Sequence, residues 1–234
     1  MGGPERFKTY GNVFDEFTRR NLFRLESQGF FQEVLGPVSI GKEANIFSAK
    51  KDDSLVAIKI YRLENCNFNR MWQYLASDPR YKNTKPQRRQ IIFAWVQREF
   101  RNLLKAREAG VRVPTPIHFS NNIILEEFIG HGNKPCPQLN KAALEDPQRF
   151  YEELVQEMTL LEKHAHLVHA DLSPFNILIQ QQHPVLIDMS QSTASTDPNA
   201  EEYRQRDIRN IATFFRQLGI DTDEEKLRHK VFKD

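Results

Sequence analysis

With 234 residues, 39% of them hydrophobic and 27% charged, the chain is large enough to bury a core without disulfide or metal staples and ordinary in composition for a folded protein. Lysine and arginine together outnumber the acids by only 33 to 31, so the molecule as a whole is no polycation and its net charge does not mark it as a nucleic-acid binder. No apolar run approaches the ~20 residues of a membrane span, the first residues lead into no apolar signal core, and Cys66 and Cys136 form no C-x-x-C pair, which argues against a disulfide framework and a zinc ribbon and leads to the expectation of a cytoplasmic protein with no membrane association.

Residues 11–30 read as a helix, with Val13, Phe14, Phe17, Leu22, Phe23 and Leu25 among interspersed charges. Three short strands follow at 31–35, 44–50 and 54–61, the last two joined through the polar turn at Asp52-Asp53-Ser54. Residues 62–85 read as polar, basic and irregular. Arg70, Arg80, Lys82, Lys85, Arg88 and Arg89 crowd this part of the chain with only Asp78 opposing them, as a solvated face would, or a surface that meets RNA or an acidic protein. A long helix over 86–109 opens on Pro86 and is followed by Gly110. Strands at 116–119 and 123–128 come next, then a linker over 130–139 rich in Pro and Gly. Helices over 147–164 and 199–218 dominate the remainder, with a strand pair at 177–180 and 185–188 between them. The outline is α+β: a small antiparallel sheet with one long helix, a hinge near 128–132, and a mainly helical second half, with a crevice between two lobes where a ligand can bind.

Lys59 closes the strand Val56-Ala57-Ile58-Lys59 on the same face as the small Ala57, so it can reach a phosphate across a shallow floor; this is the strand-lysine pattern of kinases. Before it, Ser39-Ile40-Gly41-Lys42-Glu43-Ala44 can turn tightly and offer N–H groups to phosphates, although it matches neither G-x-G-x-x-G nor the Walker pattern, and an ordinary hairpin turn is the alternative. The most specific signal is His169-Ala170-Asp171-Leu172-Ser173-Pro174-Phe175-Asn176, which fits H-x-D-L-x-x-x-N, followed on a short strand by Asp188. Phosphoryl transfer needs a carboxylate to position and deprotonate the nucleophile, and oxygen ligands for Mg²⁺; Asp171, Asn176 and Asp188 provide both. Glu99 is the only acid of the long helix before Glu108 and is the candidate partner of Lys59. His164 and His166 lie two apart and share no helix face, which speaks against a zinc site. Ser190, Ser192, Thr193, Ser195 and Thr196 read as a polar loop, with autophosphorylation sites as the alternative.

These motifs resemble the RIO-type atypical serine/threonine protein kinases, and within them the first-type branch. The resemblance spans residues 11–220 and is carried also by Arg98-Glu99-Phe100-Arg101-Asn102-Leu103, Glu127-Phe128-Ile129-Gly130, Ile187-Asp188-Met189-Ser190-Gln191 and Arg206-Asp207-Ile208-Arg209-Asn210-Ile211. It implies a two-lobed protein-kinase-like fold, truncated relative to ordinary kinases. A helix over 1–30 would pack on the core, 31–129 would form the nucleotide-binding lobe and 130–234 the catalytic lobe. It implies further that Ser39 and Lys42 with their loop cover the phosphates of ATP, that Lys59 contacts the α- and β-phosphates and pairs with Glu99, and that the main chain of Glu127 and Ile129 holds adenine. Asp171 would be the catalytic base, and Asn176 and Asp188 would hold Mg²⁺, with Mn²⁺ as the alternative. Some members of the family are thought to work as ATPases in small-ribosomal-subunit maturation, through a phosphoaspartate at the position matching Asp188. ATP and pre-small-ribosomal-subunit particles, met through the basic 70–89 segment as rRNA or ribosomal protein, are therefore the implied partners.

The chain departs from the pattern at Glu126, where this branch usually has Met, and Ala170 stands where ordinary kinases carry the Arg that holds a phosphorylated activation loop. Only about 30 residues precede the first strand, which favours the first-type branch over the second-type branch with its winged-helix domain, and the short chain looks archaeal. No A-P-E follows, so little platform for an extended peptide substrate is expected. A small-molecule phosphotransferase of the aminoglycoside or choline kinase kind shares H-x-D-x-x-x-x-N and is the competing enzyme reading. An ATP-binding module without turnover is the competing non-enzyme reading.

Overall fold

The computed structural model describes residues 14–232; the expected start of the first helix at 11–13 and the first part of the 1–30 segment lie outside them. Helix α1, Glu16–Ser27, begins where Asp15 accepts the Thr18 N–H at 2.8 Å, a side-chain cap for an otherwise orphaned donor. Its Leu22 and Leu25 are buried with Phe31, Phe47, Ile58 and Leu125 on one face of a five-stranded antiparallel sheet. The strands are β1 (Glu33–Ile40), β2 (Ala44–Lys51), β3 (Ser54–Tyr61), β4 (Pro116–Ser120) and β5 (Ile123–Glu127), arranged β1-β2-β3-β5-β4. Both faces of β3 are covered. Val56, Ile58 and Ile60 point to α1, while Ala57, Lys59 and Tyr61 point to the opposite side, as period-2 alternation requires. The first strand runs on to Ile40 instead of ending at residue 35, so Ser39 sits in the sheet, and the turn is confined to residues 41–44.

The segment expected to be irregular contains helix α2, Phe68–Ser77, capped by Asn67, whose side chain accepts the Arg70 N–H at 3.1 Å. Met71, Tyr74 and Leu75 are its buried face, an i, i+3, i+4 set. They pack on α3, Arg88–Glu108, which starts two residues after Pro86. Gly110 ends α3 at φ +84°, with Gly110 N–H bonded to the Arg107 carbonyl at 2.9 Å and Val111 N–H to the Ala106 carbonyl at 3.0 Å, a termination that needs a left-handed residue. The far end of α3 sinks Leu103 and Ala106 into the core of the second lobe and so ties the two lobes together.

The expected linker holds a minimal hairpin, β6 (Gly130–His131) with β7 (Lys134–Pro135). The second lobe is built on α4 (Pro147–Lys163), α5 (Ala200–Gln217) and α6 (Glu224–Phe232), with the short ribbons β8 (Leu167–Val168) with β11 (Thr193–Ala194), and β9 (Ile177–Gln180) with β10 (His183–Leu186). Strand β10 lies two residues earlier than its sequence suggests, because Gln181 and Gln182, at φ +51° and +64°, form a two-residue turn with none of the glycine or asparagine that usually marks one. Asp188 consequently stands beyond the strand. Among the described residues no helix is long and apolar enough to cross a membrane.

Candidate active site

A cleft of about 510 Å³ opens between the sheet and the helical lobe, a volume suited to one small ligand. Val38, Ile46 and Ala57 line it from the sheet, and Leu178 and Ile187 from the second lobe, forming an apolar slot. Polar groups converge at one end. Lys59 Nζ is 2.6 Å from Glu99 Oε1 and 2.9 Å from Asp188 Oδ1. Burial alone would pull the Lys59 ammonium down, but Asp188 and then Glu99 push it well above the usual lysine range. The same lysine, with help from the Ser190 hydroxyl at 2.7 Å, overcomes burial at Asp188 and holds its carboxyl down at about 2. Glu99, deeper in, shifts the other way because burial outweighs Lys59. Tyr61, two residues after Lys59 on the same strand face, donates to the second Glu99 oxygen at 2.7 Å.

Asp171 and Asn176 face each other across the catalytic-type loop. Asn176 Nδ2 donates to the Asp171 carbonyl at 2.8 Å and to its Oδ2 at 3.2 Å. Burial and the Asp188 charge raise the Asp171 carboxyl. The loop itself is held from below by Asp207 of α5, whose two oxygens accept the Ala170 and Leu172 N–H groups at 2.8 Å each. Burial pushes the Asp207 carboxyl up to about 7 against the pull of these two bonds. His169 is buried, which lowers its ring, and Nε2 donates to the Ile187 carbonyl at 3.1 Å. Ala170 and Asp188 both adopt the left-handed region, at φ +67° and +60°, a strained backbone that surrounding contacts must hold.

At the other end of the slot, Glu127 turns one carboxylate oxygen to Thr115, accepting from Thr115 N at 3.0 Å and Thr115 Oγ1 at 2.6 Å. Ile129 lines the cleft; its carbonyl accepts from Cys136 N at 3.0 Å, and among the described residues its own N–H donates to nothing. Glu126 also lines the slot, opposite Ala57, and burial with the nearby Glu99 charge pushes its carboxyl up to about 8. Ser39 and Gly41 line the cleft, whereas Lys42 is exposed at the tip of the turn and is not among the lining residues; Glu43 is. Gly41 is required there because a Cβ would lie 2.7 Å from the Ala44 carbonyl oxygen.

The six basic residues do not form one surface. Arg80 is clamped on Asp78 at 2.6 Å and Arg70 turns toward Gln191 and Asp171, while Lys82, Lys85, Arg88 and Arg89 are exposed. Of the groups that build the site, Tyr61 lies in no motif, Arg70 entered only as one of the basic residues, and Ser190, Gln191 and Asp207 lie in motifs of the resemblance that gave them no role. The nearest thing to a signal is at Asp207, an acid set into the buried stripe of α5 beside Ile208 and Ile211. Among the described residues no three His, Cys, Asp or Glu side chains group as a metal site.

The RIO domain family matches residues 45–227. The chain is 41% identical over 231 residues to the RIO-type serine/threonine-protein kinase Rio1 of Haloferax volcanii, covering 98% of this chain and 79% of that one. It is 38% identical over 223 residues to the protein of the same name from Methanocaldococcus jannaschii, covering 95% and 77%. Serine/threonine-protein kinase RIO1 of Homo sapiens is 32% identical, with 91% of this chain matched to 38% of that protein. In three dimensions the chain is similar to the Rio2 kinase of Chaetomium thermophilum, solved as an ADP/Mg²⁺-phosphoaspartate complex, with a TM-score of 0.69 and 23% identity over 92% of this chain and 66% of that one. A kinase-like α+β fold and these matches together place the chain in the family of RIO-type serine/threonine-protein kinases.

Proposed function

We propose that this enzyme transfers the γ-phosphoryl group of Mg-ATP to a serine or threonine hydroxyl, or to water in an ATPase cycle, and that it acts in the maturation of the small ribosomal subunit. The lobes that would do this are 31–129 for the nucleotide and 130–234 for catalysis. The observation that carries the reading is the convergence of Lys59, Glu99, Asp188, Asn176 and Asp171 at one end of an apolar slot whose far wall offers the Ile129 N–H. Adenine fits the slot against the main chain of Glu127 and Ile129, with the phosphates running toward Lys59 under the turn at Ser39 and Gly41. Lys42 takes part only if the turn folds down.

Asp171 receives the acceptor proton; its raised carboxyl is a better base for that than a fully exposed aspartate. Asn176 and Asp188 fit Mg²⁺ by donor chemistry, because Asn176 spends its Nδ2 on Asp171 and keeps its oxygen, and Asp188 binds Lys59 and Ser190 through one oxygen and keeps the other. When bound, the metal supplies charge neutralisation at the phosphate oxygens, and Mn²⁺ shares the preference for oxygen. The exposed Lys82, Lys85, Arg88 and Arg89 suit RNA phosphates of a pre-ribosomal particle. Membership of the RIO family weighs against a small-molecule phosphotransferase.

Incubation with Mg²⁺ and γ-labelled ATP, following free phosphate and protein-bound label, tests the reading. Loss of turnover in both Asp171→Ala and Asp188→Asn supports it. Hydroxylamine-labile label that disappears in Asp188→Asn identifies an acyl-phosphate ATPase cycle, and stable label a hydroxyl acceptor. Tight Mg-ATP binding with no turnover by the wild type would return the protein to a binding module.

A further inference from the structure

Arg70 reaches from α2 to the mouth of the cleft, where its Nη2 lies 2.7 Å from Gln191 Oε1 and 3.9 Å from Asp171 Oδ1. Its position does not depend on one flexible side chain. The other face of α2 is buried against α3, and Tyr74 OH donates to the same Gln191 oxygen at 2.9 Å. Gln191 belongs to the loop after Asp188, and that loop is gripped by Asn102 Nδ2 through the Met189 carbonyl at 3.0 Å and the Ser192 carbonyl at 2.7 Å. Helix α2 is thereby keyed to the loop that carries Asp188.

The cations near Asp171 have different freedom. The stretch from Asp171 to Asn176 contains no lysine or arginine. Lys59 is held between Glu99 and Asp188 with its side chain 7% exposed, at the inner end of the site. Arg206 gives its Nη2 to the Ala170 carbonyl beneath the loop, and its Nε is buried without a partner. Arg70, with its side chain 45% exposed, commits one hydrogen bond to Gln191 and has further N–H groups for an anion on the solvent side of Asp171. A half-exposed pair at 3.9 Å adds little to folding, so stability does not explain the placement.

Resting on the phosphoryl-transfer reading above, we propose that Arg70 is a catalytic residue that binds the terminal phosphate of ATP as it is transferred. The acceptor oxygen forms the new P–O bond and its proton passes to Asp171. The bond from the γ-phosphorus to the bridging oxygen breaks, and its electron pair leaves with ADP. The charge spread over the equatorial oxygens meets a planar guanidinium, which matches two of them at once.

The full-length chain, as wild type, Arg70→Ala and Arg70→Lys, is assayed for turnover of γ-labelled ATP, for Mg²⁺-dependent affinity for ATP and for ADP, and for melting temperature. Arg70→Ala is expected to lower kcat by about 100-fold or more, as loss of a phosphate-directed arginine does. It should weaken ATP but not ADP, leave the melting temperature in place, and recover part of its rate with added guanidinium; Arg70→Lys should be intermediate. A kcat within threefold of wild type would overturn the proposal. Faster turnover would also overturn it and make Arg70 a block on the acceptor path, and so would parallel loss of ATP and ADP affinity with a lower melting temperature, which is the mark of a prop for the loop. Wild type that fails to turn over sinks the phosphoryl-transfer reading instead, and the ATP-against-ADP comparison still decides the role of Arg70.

Discussion

Asp207 accepts the main-chain N–H of Ala170 at 2.8 Å from a buried position on α5. Its other oxygen takes the Leu172 N–H at the same distance, so one carboxylate holds both flanks of Asp171. Asp207→Ala leaves two buried donors without partners, at a cost of about 1–3 kcal/mol each. Urea unfolding is therefore expected to show a loss of roughly 2–5 kcal/mol. Turnover, measured at a temperature where the variant stays folded, should fall as well, since Ala170 would no longer be held at φ +67°. Full turnover in a folded variant would show that the clamp serves the fold alone.

Arg98 is fully buried between the rings of Tyr74 and Trp95, 3.4 Å from Asp78 Oδ2, and burial draws its guanidinium down. Desolvation of such a pair consumes most of its attraction, so the pair as a whole is worth less than either half left alone. Asp78→Ala strands Arg98 and releases Arg80, and is expected to cost about 3–5 kcal/mol. Arg98→Met, which fills similar space and leaves Asp78 with Arg80, is expected to stay within about 1.5 kcal/mol of wild type. Equal losses in denaturant titrations of the two variants would contradict this.

Glu126 gives stability a dependence on pH. Its folded carboxyl titrates near 8 against 4.5 in the unfolded chain. Between these values the native state carries a proton that the unfolded state lacks. Its stabilising contribution is complete below about 4.5 and is lost as pH rises through about 8, by at most about 1.4 kcal/mol per pH unit. Glu126→Gln keeps the shape and removes the proton, so its melting temperature should fall less than that of wild type between these limits. Parallel profiles would mean that Glu126 is ionised in the folded protein.

Removing the metal with a chelator is expected to abolish turnover. Asn176→Ala should raise the Mg²⁺ concentration for half-maximal rate about tenfold or more and leave the melting temperature within a few degrees, because Asn176 lies in a three-residue turn with no fully buried residue. An unchanged Mg²⁺ requirement would place the metal on other oxygens.

What the sequence determined by itself is local or periodic. Alternation along Val56-Ala57-Ile58-Lys59 sets which side Lys59 faces, the apolar spacing of residues 88–108 makes a helix, and Asp171 and Asn176 are brought together within one short loop. Such relations need only a few consecutive residues, so they survive without the rest of the molecule. Helix α2 escaped because it is a ten-residue, mostly apolar run, with Arg70 its only charge, set between polar and basic stretches, and the turn before β10 escaped because two glutamines take a conformation that glycine or asparagine usually announces. Only the tertiary structure decided that Arg70 faces Asp171 across the chain, that Asp207 clamps the loop from another helix, that Lys42 points out while Glu43 lines the cleft, and that the half-buried Glu126 sits among charges. Those relations join residues far apart in the chain through hydrogen bonds and desolvation, and neither has a period for the sequence to carry.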